Sequence, residues 1–382
     1  MDLEVHDPQG LTPLMVAAKG NRVSCVLRLL EAGADVMARD LEGNDSTLHG
    51  SVALGFISVV EALLRYGADL DARNNSDFTP LMVASFYDRP DCALALLNAG
   101  ADAASTRAAT GQTALYIAMA RGHQSMVKVL LQHSVTKDLP SSDGVTPLML
   151  AASLGHLDGA RALITAGANL EAREMTDGAS PLHIACTVGN AAVTKLLLLH
   201  EADVNATAKL GTTPLMMAAK YGNADCLQAL LTAGADLGAA VEGGITALHV
   251  AAIRGSVATV NLLLEHEADP DAGLQGMTPA VTAQRAWALG LGYLNSAQEE
   301  RKAVVEALTC VSQKKKADKR WRDRRVLVML AARFSQDQTI LDGAFGEVAS
   351  GAYDDLGDAV FWLASRLECE QQHLFRMVVG FL

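Results

Sequence analysis

The side chains best suited to chemistry in this sequence are histidines, cysteines and methionines, and they recur in rows. His133, His200 and His266 form one row, in which Tyr66 holds the first place; Ala32, Ala99, Ala166 and Ala233 hold the intervening places. Regularly spaced imidazoles suggest a metal site. If each place belongs to its own helical layer of about 10 Å, alternate members stand about 20 Å apart, whereas ligands must all reach one metal at about 2 Å. The row therefore predicts histidines that close helices, where an imidazole can meet free carbonyls and the helix dipole.

A second row runs Met15, His49, Met82, Tyr116, Met149, His183, Met216, His249, and Cys25, Cys92 and Cys226 share a third position that Val59, Met126 and Val193 fill elsewhere. The shared position predicts buried fillers, too far apart for a disulfide spanning about 6 Å between Cα atoms. Cys186 reads likewise as a small packing residue. The cysteines show no C-x-x-C pairing, which excludes zinc ribbons and points to a reducing compartment. There is no phosphate-binding G-x-x-x-x-G-K-[ST], no H-E-x-x-H and no G-x-S-x-G, and Gly290-Leu291-Gly292 lacks the third glycine of a dinucleotide loop. No catalytic residue, metal ligand or cofactor site is expected, and the protein is not expected to be an enzyme.

The elements that carry these rows repeat with them. TPLMMAAKYGN from Thr213 has near-copies at Thr12, Thr79 and Thr146, each 67 residues after the last, and similar segments lie between them. A Thr or Ser before Pro is a helix cap followed by Pro at the first helical position, where its missing N–H costs nothing. Six residues beyond the Met/His position stand Asn21, Gly55, Asp88, Gly122, Gly155, Gly189, Gly222 and Gly255, all tolerant of the left-handed backbone that ends a helix. A second helix then carries a pair such as Leu63-Leu64 or Leu230-Leu231, and Gly-Ala-Asp turns at 33, 67, 100 and 234 lead into extended fingers such as Asp35–Glu42. Small residues (Ala17, Ser51, Ala84, Ala118, Ala151, Ala185, Ala218, Ala251) allow neighbouring helices to approach closely. The fourth unit carries His133-Ser134-Val135-Thr136 in place of the turn, which predicts an altered finger. Because Met/His, Ala/His and Cys all alternate on one 67-residue rhythm, the array reads as a duplicated pair of units.

Composition agrees: half the residues are apolar and 4% aromatic, so the core must be Ala, Leu, Val and Met. The net charge is −12; residues 301–382 carry 13 basic and 11 acidic side chains, leaving 18 against 32, or −14, for residues 1–300. Such a body repels nucleic acid and anionic membrane and suits basic or neutral protein partners. No apolar run reaches about 18 residues and the start has no basic leader or apolar h-region, so a soluble, unexported chain without a membrane span, cytoplasmic with a nuclear option, is expected.

These motifs resemble the ankyrin repeat family, whose unit reads G-x-T-P-L-H-x-A-A-x-x-G-H, then a Leu-Leu helix, then G-A-D-V-N-A. The resemblance covers eight units over residues 7–272 and a worn ninth over 273–310 read as an enlarged cap. It implies an all-α, helix-turn-helix solenoid with short extended fingers. It also implies that His49, His183 and His249 brace the stack by bonding to neighbouring loops, a bond the methionine units lack, and that a monomeric chain binds a protein partner through its concave groove. The groove positions lie four and five residues after the Met/His position. Those singled out are Lys19, Leu54, Phe86, Tyr87, Arg121, Leu154, Val188, Lys220, Tyr221 and Arg254, with Phe86-Tyr87 foremost, because aromatics and Arg dominate interface energy.

Beyond the repeats, KKKADKRWRDRR from Lys314 holds eight basic and two acidic residues. This basic segment, 311–325, is either a solvated helix or a nuclear-import signal carried by Lys314, Lys315, Lys316, Lys319 and Arg320. A small helical module is expected over 326–382, with amphipathic helices at Val326–Phe334 and Ala359–Leu367. The segment QHLFRMVV near its end is loosely similar to the SOCS-box helix of ankyrin-bearing ubiquitin-ligase receptors, although that box needs a longer second half. The expected function is a non-enzymatic scaffold or adaptor, with a ligase substrate receptor or a nuclear regulatory cofactor as alternatives.

Overall fold

The computed structural model describes residues 3–133, 136–273, 276–288 and 298–334, the side chains of the last stretch as far as residue 317. The chain divides into two units, Met1–Ala297 and Gln298–Leu382. The first is built from helix pairs. Repeats 1 to 4 comprise α1 (Pro13–Lys19) and α2 (Val23–Glu31), α3 (Thr47–Leu54) and α4 (Ile57–Arg65), α5 (Pro80–Phe86) and α6 (Pro90–Asn98), and α7 (Ala114–Arg121) and α8 (Gln124–Gln132). Repeats 5 to 8 comprise α9 (Pro147–Leu154) and α10 (Leu157–Thr165), α11 (Pro181–Val188) and α12 (Ala191–Leu199), α13 (Pro214–Tyr221) and α14 (Ala224–Thr232), and α15 (Ala247–Arg254) and α16 (Val257–Glu265).

The capping chemistry read from the sequence starts these helices. The hydroxyls of Thr12, Thr79, Thr146 and Thr213 accept the backbone N–H of Met15, Met82, Met149 and Met216 at 3.3–3.4 Å, each satisfying one of the orphan donors of a helix start. Asn21 and Asp88 take the left-handed backbone at the stop, with φ of 51° and 54°, where the other six repeats use glycine.

Each first helix packs on the next first helix and each second helix on the next second helix. Ser51, Ala84, Ala118, Ala151, Ala185, Ala218 and Ala251 are buried along the first seam, and Leu63, Leu96, Leu130, Leu163, Leu197, Leu230 and Leu263 are fully buried along the second. Each such leucine contributes roughly 2 kcal/mol by leaving water. A further helix, α17 (Pro279–Ala288), packs on α15. Its Trp287 indole donates to the Ile253 carbonyl at 2.8 Å.

The fingers are mostly turns, joined to one another rather than paired into a long sheet. Arg39 donates to the Arg73 carbonyl, Arg73 to that of Thr106, and Arg173 to that of Thr207. The finger between repeats 7 and 8 closes as a two-stranded antiparallel hairpin, β1 (Ala240–Val241) against β2 (Ile245–Thr246), with Ala240 opposite Thr246. Of the altered turn in repeat 4, Ser134 and Val135 lie outside the described residues. From Asp138 onward that finger keeps the usual link, the Asp138 carboxylate accepting the N–H of Asn169 at 2.8 Å.

One expectation about the cysteines changes. Cys92, Cys186 and Cys226 are buried, but Cys25 is exposed. Its position faces the second helix of the preceding repeat, and among the described residues no such helix lies ahead of α2. Cys186 and Cys226, which the sequence placed in separate roles, meet around one side chain: the Thr194 hydroxyl lies 3.9 Å from the sulfur of Cys186 and donates to that of Cys226 at 3.5 Å. Burial pushes the Cys186 thiol well up and that of Cys92 up to about 11, so both are held as thiols.

In the second unit α18 runs unbroken over Gln298–Phe334. The basic segment 311–325 and the helix expected at Val326–Phe334 fall on this one element. The helix expected at Ala359–Leu367 and the segment QHLFRMVV lie outside the described residues. No helix among the described residues is long and apolar enough to cross a membrane.

Candidate partner-binding groove

The face formed by the first helices and fingers is held rigid by two sets of inter-repeat hydrogen bonds. One is the histidine brace. The backbone N–H of Ser46 donates to Nδ1 of His49 at 3.2 Å, so Nε2 carries the proton and donates to the Phe78 carbonyl of the next repeat at 3.0 Å. His183 and His249 repeat the arrangement, with Nε2 at 3.1 Å from the Thr212 carbonyl and 2.9 Å from that of Met277. Burial lowers the pKa of all three imidazoles, against the opposing pull of these carbonyls. The methionines at this position make no such bridge; Met149 turns its sulfur back to the Thr146 N–H at 3.4 Å. Tyr116 holds this position in repeat 4, where burial raises its phenol pKa.

The other set has no counterpart in the sequence reading. In five repeats the residue after the left-handed stop reaches back to the last carbonyls of the preceding repeat's first helix. Arg89 donates to Ala53, His123 bonds Ser85, His156 bonds Met119, Asn190 bonds Ala152 and Ser153, and Asn223 bonds Cys186 and Thr187, all at 2.6–3.2 Å. These carbonyls are the ones a helix end leaves unpaired. The signal that could have revealed this row is its composition, since polar side chains able to donate follow most of the stops.

Between these braces the candidate contact residues divide. Lys19, Leu54, Tyr87, Arg121, Leu154, Val188, Lys220 and Tyr221 are exposed, Val188 by 54% and Tyr87 by 51%. Phe86 and Arg254 are half-buried. Phe86 packs edge-on to Phe78 and to Tyr87, with ring centroids 5.8 and 5.1 Å apart, and Arg121 lies 3.6 Å above its ring. Arg254 donates to the Lys220 carbonyl at 2.8 Å and lies against Gly222, so it belongs to the bracing row. Of the foremost pair, Tyr87 faces solvent and Phe86 supports it. The row His133, His200 and His266 occupies helix C-caps. There the backbone N–H groups meet the last carbonyls, and the His266 ring lies 3.5 Å from the Gln228 amide.

Family models match along this face and its scaffold. A model described as "Ankyrin repeats (3 copies)" matches residues 40–107, 99–174 and 169–241, "Ankyrin repeats (many copies)" matches 1–50, and "Ankyrin repeat" matches 243–273. The chain belongs to the ankyrin repeat family. Ankyrin repeats are protein-interaction modules. The chain is 32% identical over 205 residues to neurogenic locus notch homolog protein 2 of Homo sapiens, covering 53% of this chain and 7% of that protein. It is 30% identical to inversin of Canis lupus familiaris over 52% of this chain and 19% of the relative. The identity is also 30% to ankyrin repeat and SOCS box protein 16 of Homo sapiens, over 50% and 43%. The chain thus spans less than half the length of each. Among solved structures, the ankyrin repeat domain of Bcl-3, described as a unique member of the IkappaB protein family, superposes with a TM-score of 0.52 at 29% identity. That match covers 55% of this chain and 95% of the Bcl-3 one.

Proposed function

We propose that this chain is a non-enzymatic scaffold or adaptor that holds a protein partner along the face made by its first helices and fingers. One observation carries the reading. Leu54, Tyr87, Leu154, Val188 and Tyr221 expose apolar or aromatic surface at matching places of five repeats, beside first helices held by the inter-repeat hydrogen bonds described above. Side chains left apolar and exposed at fixed intervals on a rigid support are what an interface requires. Proximity labelling in the native cell tests it: the Tyr87→Ala, Val188→Ala, Tyr221→Ala variant should lose the proteins the unaltered chain labels most strongly. An unchanged labelling pattern refutes the groove.

The likeness to ankyrin repeat and SOCS box protein 16 supports a second reading, a substrate receptor of a ubiquitin ligase recruited through the C-terminal helix. Co-purification of ligase components with the full chain, and their loss when residues 355–382 are removed, is the result this reading requires. A nuclear role rests on the basic run, whose Lys314, Lys315 and Lys316 are exposed on α18. Neutralising these three should shift a tagged chain from nucleus to cytoplasm, and an unchanged distribution retires import.

A further inference from the structure

Gly50 stands in the middle of α3, where glycine weakens a helix. The equivalent residues of the other seven repeats are Val16, Val83, Ile117, Leu150, Ile184, Met217 and Val250. Crowding does not explain the exception, because a Cβ added at Gly50 would meet no atom within 4 Å. Gly50 instead lines a cleft of about 320 Å³ between repeats 2 and 3, walled by Phe78, Phe86 and Tyr87. Residues 7–272 contain only seven aromatic side chains, so three of the seven are gathered at one cleft. At the same cleft the Asp45 carboxylate accepts the Asn74 amide at 2.8 Å and forms no ion pair among the described residues.

We propose that this cleft receives a bulky apolar side chain of a partner polypeptide, with a basic residue beside it whose charge meets Asp45. The inference rests on the groove reading and names the chemistry the groove selects at repeats 2 and 3. The apolar residue takes the place that seven repeats fill with a side chain of their own, against three rings. The basic residue is assigned to Asp45 and not to the rings. Arg107 and Arg121 already lie over Phe78 and Phe86 at 4.6 and 3.6 Å, and a further cation there would meet like charge. A carboxylate without a counter-ion, on a body of charge −14, favours a basic neighbour by complementarity.

Panning the full chain against a random octapeptide display library tests this. Selected peptides should place an aromatic or aliphatic residue next to Lys or Arg. Gly50→Leu, which installs the residue of repeat 5, should raise the melting temperature yet weaken the selected peptides about tenfold or more. Gly50→Ala, whose methyl leaves most of the cleft open, should raise the melting temperature and keep binding. Asp45→Asn retains an acceptor for Asn74, and should relax the preference for the basic residue while the apolar one persists. Selected peptides that bind Gly50→Leu unchanged but lose affinity for Tyr221→Ala would overturn the cleft and leave the groove reading standing. Selection of no peptide, or of peptides without the basic neighbour, also overturns it, and the groove is then decided by the labelling experiment alone.

Discussion

The guanidinium of Arg121, at the end of α7, lies 3.6 Å above the ring of Phe86 at the end of α5. Two residues that the sequence offers as separate contacts are therefore one packed unit across a repeat boundary, and Tyr87 touches only the edge of the Phe86 ring while half its surface faces solvent. Phe86→Ala should lower stability by about 2 kcal/mol, through lost ring burial and a cation–π contact worth about 0.5–1 kcal/mol. Tyr87→Ala, at a half-exposed position, should cost less than about 1 kcal/mol. Urea unfolding of the two variants separates them; equal losses would show that Tyr87 is structural too.

Asn190 and Asn223 each donate to two carbonyls of the preceding repeat. Truncating either to alanine leaves half-buried acceptors with a poorer partner, so each variant should lose about 1–2 kcal/mol. Since repeat arrays unfold through their interfaces, the double variant should also broaden the transition. A sharp transition at unchanged midpoint would argue against the bracing role.

Glu201 and Glu267 adopt left-handed backbone, with φ of 64° and 69°, at the turn where Gly33, Gly67, Gly100, Gly167 and Gly234 occur. A residue with a Cβ is disfavoured there by roughly 1 kcal/mol. Glu201→Gly and Glu267→Gly should therefore each raise the melting temperature by a few degrees in a calorimetric scan, even though glycine loosens the unfolded chain. A fall in melting temperature would mean that the side chains make compensating contacts.

Burial lowers the pKa of His49, His183 and His249 below the usual value. In that case the unfolded chain binds protons before the folded one does as pH falls. Their contribution to stability is complete above about pH 6.5 and is lost as pH drops from there toward the folded values. The melting temperature should fall between pH 7 and 5. Replacing all three with the methionine of the alternate repeats should flatten that step, at some cost at pH 7 from the lost braces. An equal fall in both proteins would assign the pH dependence to other groups.

Much of the frame was legible because its causes are local. The Thr-Pro starts, the left-handed stops at Asn21 and Asp88, and the leucine pairs each act within one turn of helix. The histidine brace was legible through the family resemblance, since each repeat meets only its neighbours and a bond from His49 to Phe78 recurs from His183 to Thr212. The bracing row of Asn190 and Asn223 went unread although its polar composition was visible. A polar residue after a helix stop is compatible with plain solvation, and only the position of the preceding helix end shows where its amide goes.

What the sequence by itself determined, then, was the unit: where each helix starts and stops, which side faces the seam, and that the unit recurs. Those outcomes follow from backbone geometry and hydrophobic spacing, which need no distant contact. Only the tertiary structure decided the fate of individual side chains at the repeat boundaries. There Cys25 is exposed while Cys92 is buried, Arg254 is drawn into bracing, Phe86 is packed beneath Arg121, and Gly50 lines an open cleft. Each depends on whether a neighbouring repeat supplies a surface opposite it, a property of two stacked units that neither unit's sequence contains.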